Sequence, residues 1–316
     1  MRIPAVAIHD ADMSERHVFY SIVDVFTRTR FSGNPVAVIH DASEIDTSQM
    51  LAIAREFGFS ETTFILPPSD PETIAQVRIF TPFEEVPFAG HPNIGTAFVL
   101  ATRDTAARGP LTEGAVFDEP GGVVRVRLTR ENGVVTGAVI EAPHSLQKLG
   151  NVDSKLAARC LGLAERDIVS DRITPCVASV GLPFAFLELR SLEALGAITP
   201  DVAAFRDAAD AGPRTVDGFA VCAFVVMEEN EPVTLVRSRV LSPLGHPAED
   251  PATGSASGAL AALLSEVESR EGGVFRVTQG VEIGRPGEIG VEIIGTGRPP
   301  LIRGDCVMAG GGTMFV

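Results

Sequence analysis

The chain has 316 residues, 45% apolar and 21% charged, enough for one large domain or two medium ones with real cores. A formal charge of −15 and the lack of any Lys/Arg cluster argue against a nucleic-acid or anionic-membrane partner, so an anionic substrate must be attracted by local groups. No apolar run nears the roughly 20 residues of a membrane span, and Cys160, Cys176, Cys222 and Cys306 form no CxxC pair, which fits a cytoplasmic protein with reduced thiols and, its six histidines being scattered, no metal site.

Residues 1–18 hold a short apolar piece and then acidic residues, which reads as an extension and not as a signal peptide. "YSIVDVF" and "PVAVIH" then predict strands, "TSQMLAIAREFG" a helix with a glycine stop, and "ETTFILP" and "AQVRIFTP" further strands. "NIGTAFVLA" is apolar nearly all round, which predicts a fully buried helix. "GGVVRVRLTR" and "VVTGAVIEAP" close the first half as strands. The second half opens with a helix over "DSKLAARCLGL", followed by strands at "CVASVG", "PFAFLELR", "FAVCAFVVM" and "VTLVRSRVLSP". A helix over "ATGSASGALAALLSEV" precedes strands at "VFRVTQG" and "GVEIIGTG". Strands outnumber helices, so the expected class is α+β.

The chain repeats itself. "GNPVAVI" (33–39) matches "GLPFAFL" (181–187), "RIFTP" (78–82) matches "RVLSP" (239–243), and "GHPNIGTA" (90–97) matches "EDPATGSA" (249–256). Three blocks in the same order indicate a duplication. In the last pair, His91 stands where Asp250 stands, and Pro92 where Pro251 stands. The second helix has small residues all round, Ala252, Gly254, Ala256, Gly258 and Ala259. Glycine weakens a helix by about 1 kcal/mol per site, so such a helix needs strands that close in on every side. Each half is then a curved sheet wrapped around one central helix.

The two prolines suit the first helical position, which places His91 and Asp250 at or beside the N-caps. Helix starts carry unpaired N–H groups and positive potential, and so bind carboxylates well. If the halves face each other, both starts open into one cleft. A His or Asp at a buried cap is ordinarily structural, but two different titratable groups at equivalent positions suggest divided roles in proton chemistry. Glu61, in "GFSETTFILP", stands at a turn-to-strand boundary, where a lone glutamate is ordinarily a solvated edge charge.

"VDVFTRTRFSGNPVAVI", "FSETTFIL", "RIFTPFEEVPFAGHPNIGTA", "EDPATGSA" and "QGVEIGRPGEI" together resemble the phenazine-biosynthesis isomerase (PhzF) family, which shares its fold with diaminopimelate epimerase. The match runs from about Val23 to the C-terminal "GGGTM". The resemblance implies two pseudo-symmetric domains, expected at 19–143 plus 303–316 and at 144–302, with the site between them. It makes Glu61 the catalytic acid/base, assisted by His91 and Asp250, and puts Ser60, Gly90, Gly254 and Ser255 near the substrate. It further implies a homodimer that isomerises trans-2,3-dihydro-3-hydroxyanthranilate or a similar small carboxylate with no metal or organic cofactor. Asn93-Ile94 and Gly287 depart from the commoner family residues, and Arg285 reads as a packing arginine. Related racemases place a cysteine at each helix start, and both segments here lack one. The competing readings are an amino-acid racemase or epimerase using Glu61 with His91 or Asp250, and a catalytically silent carboxylate-binding protein.

Overall fold

A computed structural model describes residues 16–103, 111–230 and 233–316. The first half runs β1 (His17–Val25), β2 (Asn34–Ile39), α1 (Thr47–Phe57), β3 (Glu61–Leu66), β4 (Ala75–Phe80), β5 (Glu85–Val86), α2 (Gly90–Thr102), β6 (Gly114–Glu119), β7 (Gly122–Glu131) and β8 (Val134–Glu141). The second runs β9 (Gln147–Asn151), α3 (Ser154–Leu161), β10 (Ile168–Val169), β11 (Cys176–Ser179), β12 (Pro183–Leu189), α4 (Leu192–Gly196), α5 (Val202–Ala211), β13 (Val221–Asn230), β14 (Val233–Leu241), β15 (Glu249–Asp250), α6 (Gly254–Val267), β16 (Gly273–Gln279), β17 (Gly287–Ile293) and β18 (Leu301–Phe315).

The duplication is written into the strand pairing. β2 runs parallel to β3, β3 antiparallel to β4, and β4 antiparallel to β5 but parallel to β6, after which β6, β7 and β8 continue antiparallel. The strands from β12 to β18 repeat that order and those directions. Each half therefore has the same path, with α2 and α6 at the same point of it. The class is α+β, with a curved sheet about a central helix in each half.

β18 belongs to both halves. Its start pairs with β17 and with β8, and its remainder with β1. The expected border between residues 302 and 303 falls inside this strand. Glycine-rich "AGGGT" has little strand propensity of its own, so its extended form comes from pairing with β1. Residues 1–15, most of the expected extension, lie outside the described residues, and β1 starts at His17, two residues inside it.

The small residues of the central helices are there because strands press on them. A Cβ on Gly95 of α2 would lie 2.5 Å from Val36 Cγ1, and one on Gly258 of α6 would lie 3.1 Å from Ile302 Cδ1 and 3.3 Å from Val180 Cγ2. Every α2 residue from His91 to Val99 is buried. α4 and α5, which the sequence reading leaves unassigned, form a satellite layer. Ala204, Phe205 and Ala208 pack there with Leu161, Leu195 and Phe219. Asp201 caps α5 by accepting from Ala203 and Ala204 N–H at 2.9 and 3.1 Å.

Candidate active site

Both central helices begin without a side-chain cap: α2 starts at Gly90 after Ala89, and α6 at Gly254 after Thr253. This corrects the expected register. His91 and Pro92 are the second and third helical residues, and Pro251 precedes its helix by three positions. Proline is still tolerated in that first turn, whose N–H groups lack partners. α6 starts late because Gln279 ties down the segment before it. Gln279 donates to the Asp250 carbonyl at 2.8 Å and to Thr253 Oγ1 at 3.0 Å, and accepts from Thr253 N–H at 3.1 Å. Asp250 thus sits in the short strand β15 and not at a cap.

Asp250 is held from both halves. Asn34 Nδ2 and Ser60 Oγ, on the first half, donate to its Oδ1 at 2.9 and 2.8 Å. Thr253 Oγ1 donates to its Oδ2 at 2.5 Å. Burial raises the Asp250 carboxyl above its ordinary range, and the three donors only partly offset this.

Ser60 and Glu61 are neighbours, so the strand start that touches Asp250 also carries Glu61. Glu61 Oε2 lies 3.6 Å from His91 Nδ1, too far for a hydrogen bond. Glu61 Oε2 and His91 Nε2 are both buried, and neither has a hydrogen-bond partner among the described residues. Burial, then the charges of Asp250 and Asp217, push the Glu61 carboxyl up to about 8. Burial pulls the His91 imidazole down to about 3, although the Pro35 carbonyl favours its protonated form. At neutral pH the pair is therefore a proton-bearing carboxyl beside a neutral imidazole, with no ion pair between them. Two unsatisfied buried polar atoms cost free energy unless a ligand meets them.

The seven candidate residues, Glu61, His91, Asp250, Ser60, Gly90, Gly254 and Ser255, line one cavity of about 280 Å³. That size suits a small molecule. Asp217, Thr253 and Glu84 share the lining with Phe83, Phe88 and Phe184. Asp217 and the two anchoring residues Asn34 and Gln279 escape a sequence reading. Asn34 and Gln279 stand inside motifs quoted above, but nothing local shows that they reach Asp250. Arg285 packs as expected: it binds Asp24 Oδ1 at 2.6 Å and the Gly33 carbonyl at 3.0 Å. All four cysteines are buried, and none lines the cavity.

The repeated arginines deliver the helix starts. Arg78 grips Glu85 through two bonds of 2.7 and 2.5 Å, and Arg239 grips Glu249 through two of 2.8 and 2.7 Å. Each pair clips the hairpin, β4–β5 or β14–β15, that leads into a central helix. Charge-assisted forked pairs fix orientation as well as distance.

Comparison with known proteins agrees with this architecture. The family model described as phenazine biosynthesis-like protein (PhzC-PhzF) matches residues 23–310. The chain is 36% identical to the trans-2,3-dihydro-3-hydroxyanthranilate isomerase of Pseudomonas fluorescens, over 84% of this chain and 87% of that one. It is 34% identical to an uncharacterized isomerase of Mesorhizobium japonicum, over 94% and 98%. Among solved structures, a predicted epimerase of Pseudomonas aeruginosa superposes with a TM-score of 0.75 at 28% identity, covering 94% of this chain and 99% of that one. With relatives of this kind along nearly its whole length, the chain belongs to the PhzC-PhzF family of phenazine biosynthesis-like proteins and is an isomerase.

Proposed function

We propose that this isomerase moves a proton between two carbons of a small carboxylate, with Glu61 as the group that takes and returns it and with no cofactor. One observation carries the reading: a carboxyl with a buried, unpartnered Oε2, pushed up to about 8, lines the same cavity as two uncapped helix starts. A carboxyl with that affinity can both accept and donate a proton near neutral pH, which acid/base work requires. The substrate carboxylate lies against the N–H groups of Gly90, Gly254 and Ser255, where the helix dipoles offset its charge. The same donors stabilise enolate-like charge that develops when the carbon proton leaves. Neutral His91 offers a ring nitrogen to the substrate without adding charge. Asp250, fixed by its three donors, lines the same cavity. The named activity of the Pseudomonas fluorescens relative supports a substrate whose carbon proton is acidified by conjugation.

The test is incubation of a panel of small carboxylates in deuterated water, read by NMR. The proposal expects deuterium at a carbon other than the one that lost its proton. Deuterium returned to the same carbon with inversion would favour an epimerase, the second reading, which the Pseudomonas aeruginosa neighbour supports. A tight-binding acid that never exchanges would point to a silent binding protein.

A further inference from the structure

Four acidic side chains line the cavity, Glu61, Glu84, Asp217 and Asp250, and no lysine or arginine is among the described lining residues. His91 and His246 are the imidazoles of this lining, and the two helix starts are its fixed positive ends, while the acid-rich remainder disfavours a second negative group. We infer that Asp217 is a specificity-determining residue that selects acids bearing a protonated nitrogen at the end facing the cavity mouth. This rests on the reading that a substrate carboxylate occupies the starts of α2 and α6.

The geometry separates two ends of the cavity. His91 marks the inner end: it is only 6% exposed, and its Nε2 has no partner. Asp217 is exposed and stands at the mouth, in a short turn with φ at +51°. Its carboxylate is fixed there. Ser242 Oγ donates to Oδ2 at 2.6 Å. Gly245 passes so close that a Cβ at that position would fall 2.3 Å from Asp217 Cγ. No described residue donates to Oδ1, which leaves that oxygen for a donor on a ligand. Its charge also reaches the inner acids, since it helps hold both Glu61 and Asp250 up. A cation beside Asp217 would offset this repulsion, whereas a second anion would add to it. A positively charged nitrogen near the mouth and a carboxylate at the helix starts thus match the wall at both ends.

The test is calorimetric titration of the full chain with 4-aminobutanoate against butanoate, 5-aminopentanoate against pentanoate, and glutarate. The two lengths differ by one methylene and so sample two reaches across the cavity. In at least one pair the amino acid is expected to bind about fivefold more tightly, the scale of a partly solvated charge pair. Asp217→Asn should remove that difference. Asparagine tolerates a positive φ and keeps an oxygen for Ser242. Asp217→Gly, also suited to the turn, serves as the second variant, and Asp217→Lys should shift preference toward glutarate. Equal affinities within both pairs, or a preference that survives Asp217→Asn and Asp217→Gly, would overturn the assignment while leaving the carboxylate site intact. Failure of all five acids to bind would overturn both.

Discussion

Replacing Glu61 by glutamine should make the protein more stable and nearly inactive, and the stability gain should depend on pH in a way the structure fixes. The folded carboxyl is held at about 8 against an ordinary value of 4.5. Between those values the folded protein binds a proton that the unfolded chain has released, so stability falls as pH rises. Below about 4.5 the carboxyl is neutral in both states and the burial cost vanishes. Above about 8 the folded protein must carry a buried charge. At about 1.4 kcal/mol for each pH unit of separation, the full penalty is on the order of 5 kcal/mol, an upper figure because water and side chains relax around a charge. Glutamine keeps the shape and cannot ionise. The expected result is a stability difference between variant and parent that is small at pH 4.5 and grows by several kcal/mol up to pH 9. Urea unfolding at pH 4.5, 7 and 9 reads it, and the parent's other titrations cancel in the difference. Deuterium wash-in on the best carboxylate should fall by at least ~100-fold, the scale of a positioned acid/base. A difference that does not change with pH would refute the buried-carboxyl reasoning, and near-normal exchange by the folded variant would refute the role of Glu61.

Further outcomes follow from the same geometry. kcat/KM should rise with pH and level off above about 8, because Glu61 must be ionised to take a proton, and Asp217→Asn should shift the rise to lower pH; a flat profile from pH 6 to 10 would count against Glu61 as the base. Arg239→Met should cost about 3 kcal/mol in urea unfolding, because it strands Glu249 in a pair with only 8% and 13% side-chain exposure. Arg78→Met, in the equivalent but wetter pair at 20% and 28%, should cost about 1 kcal/mol, and a reversed order would show that burial does not set the difference. A variant with all four cysteines changed to alanine should keep its wash-in activity at some cost in stability; loss of exchange in that folded variant would reinstate thiol chemistry.

Much of this molecule can be read from its sequence because the information there is local or repeated. The strand cores alternate or run apolar, the glycine after α1 stops it in a left-handed cap, and the duplicated blocks announce a duplicated path. α5 carried a readable signal as well, since Asp201 caps a run whose buried positions recur at helical spacing. The start of β18, "RGDCVMAG", reads as a strand, but its glycine-rich end does not: there the partner strand β1, nearly three hundred residues earlier, makes the chain extended.

The same division explains why the expected start of α6 lies about a turn too early, whereas α2 begins two residues before its expected first residue, Pro92. Proline, aspartate and small residues in "EDPATGSA" favour a helix beginning at Pro251 on local grounds. The structure instead uses the side chain of Gln279, a β16 residue, to satisfy Thr253 N–H and the Asp250 carbonyl, and so holds those residues extended. The consequence is chemical. A carboxylate at the cap would bond to the first N–H groups of α6 and occupy the place proposed for the substrate. Moved back into β15, Asp250 turns its oxygens to Asn34, Ser60 and Thr253 and leaves the start of α6 uncapped. α2 reaches the same condition by different means, with an alanine at its cap and His91 one residue inside the helix. Each half therefore gives up the stabilisation of a good cap, about 1 kcal/mol, at the one end of its central helix that faces the cavity. α1, α3, α4 and α5, which do not start there, all have side-chain caps. Among the described α-helices the missing caps fall on the two central ones, as the proposed pair of anion sites facing one cavity requires.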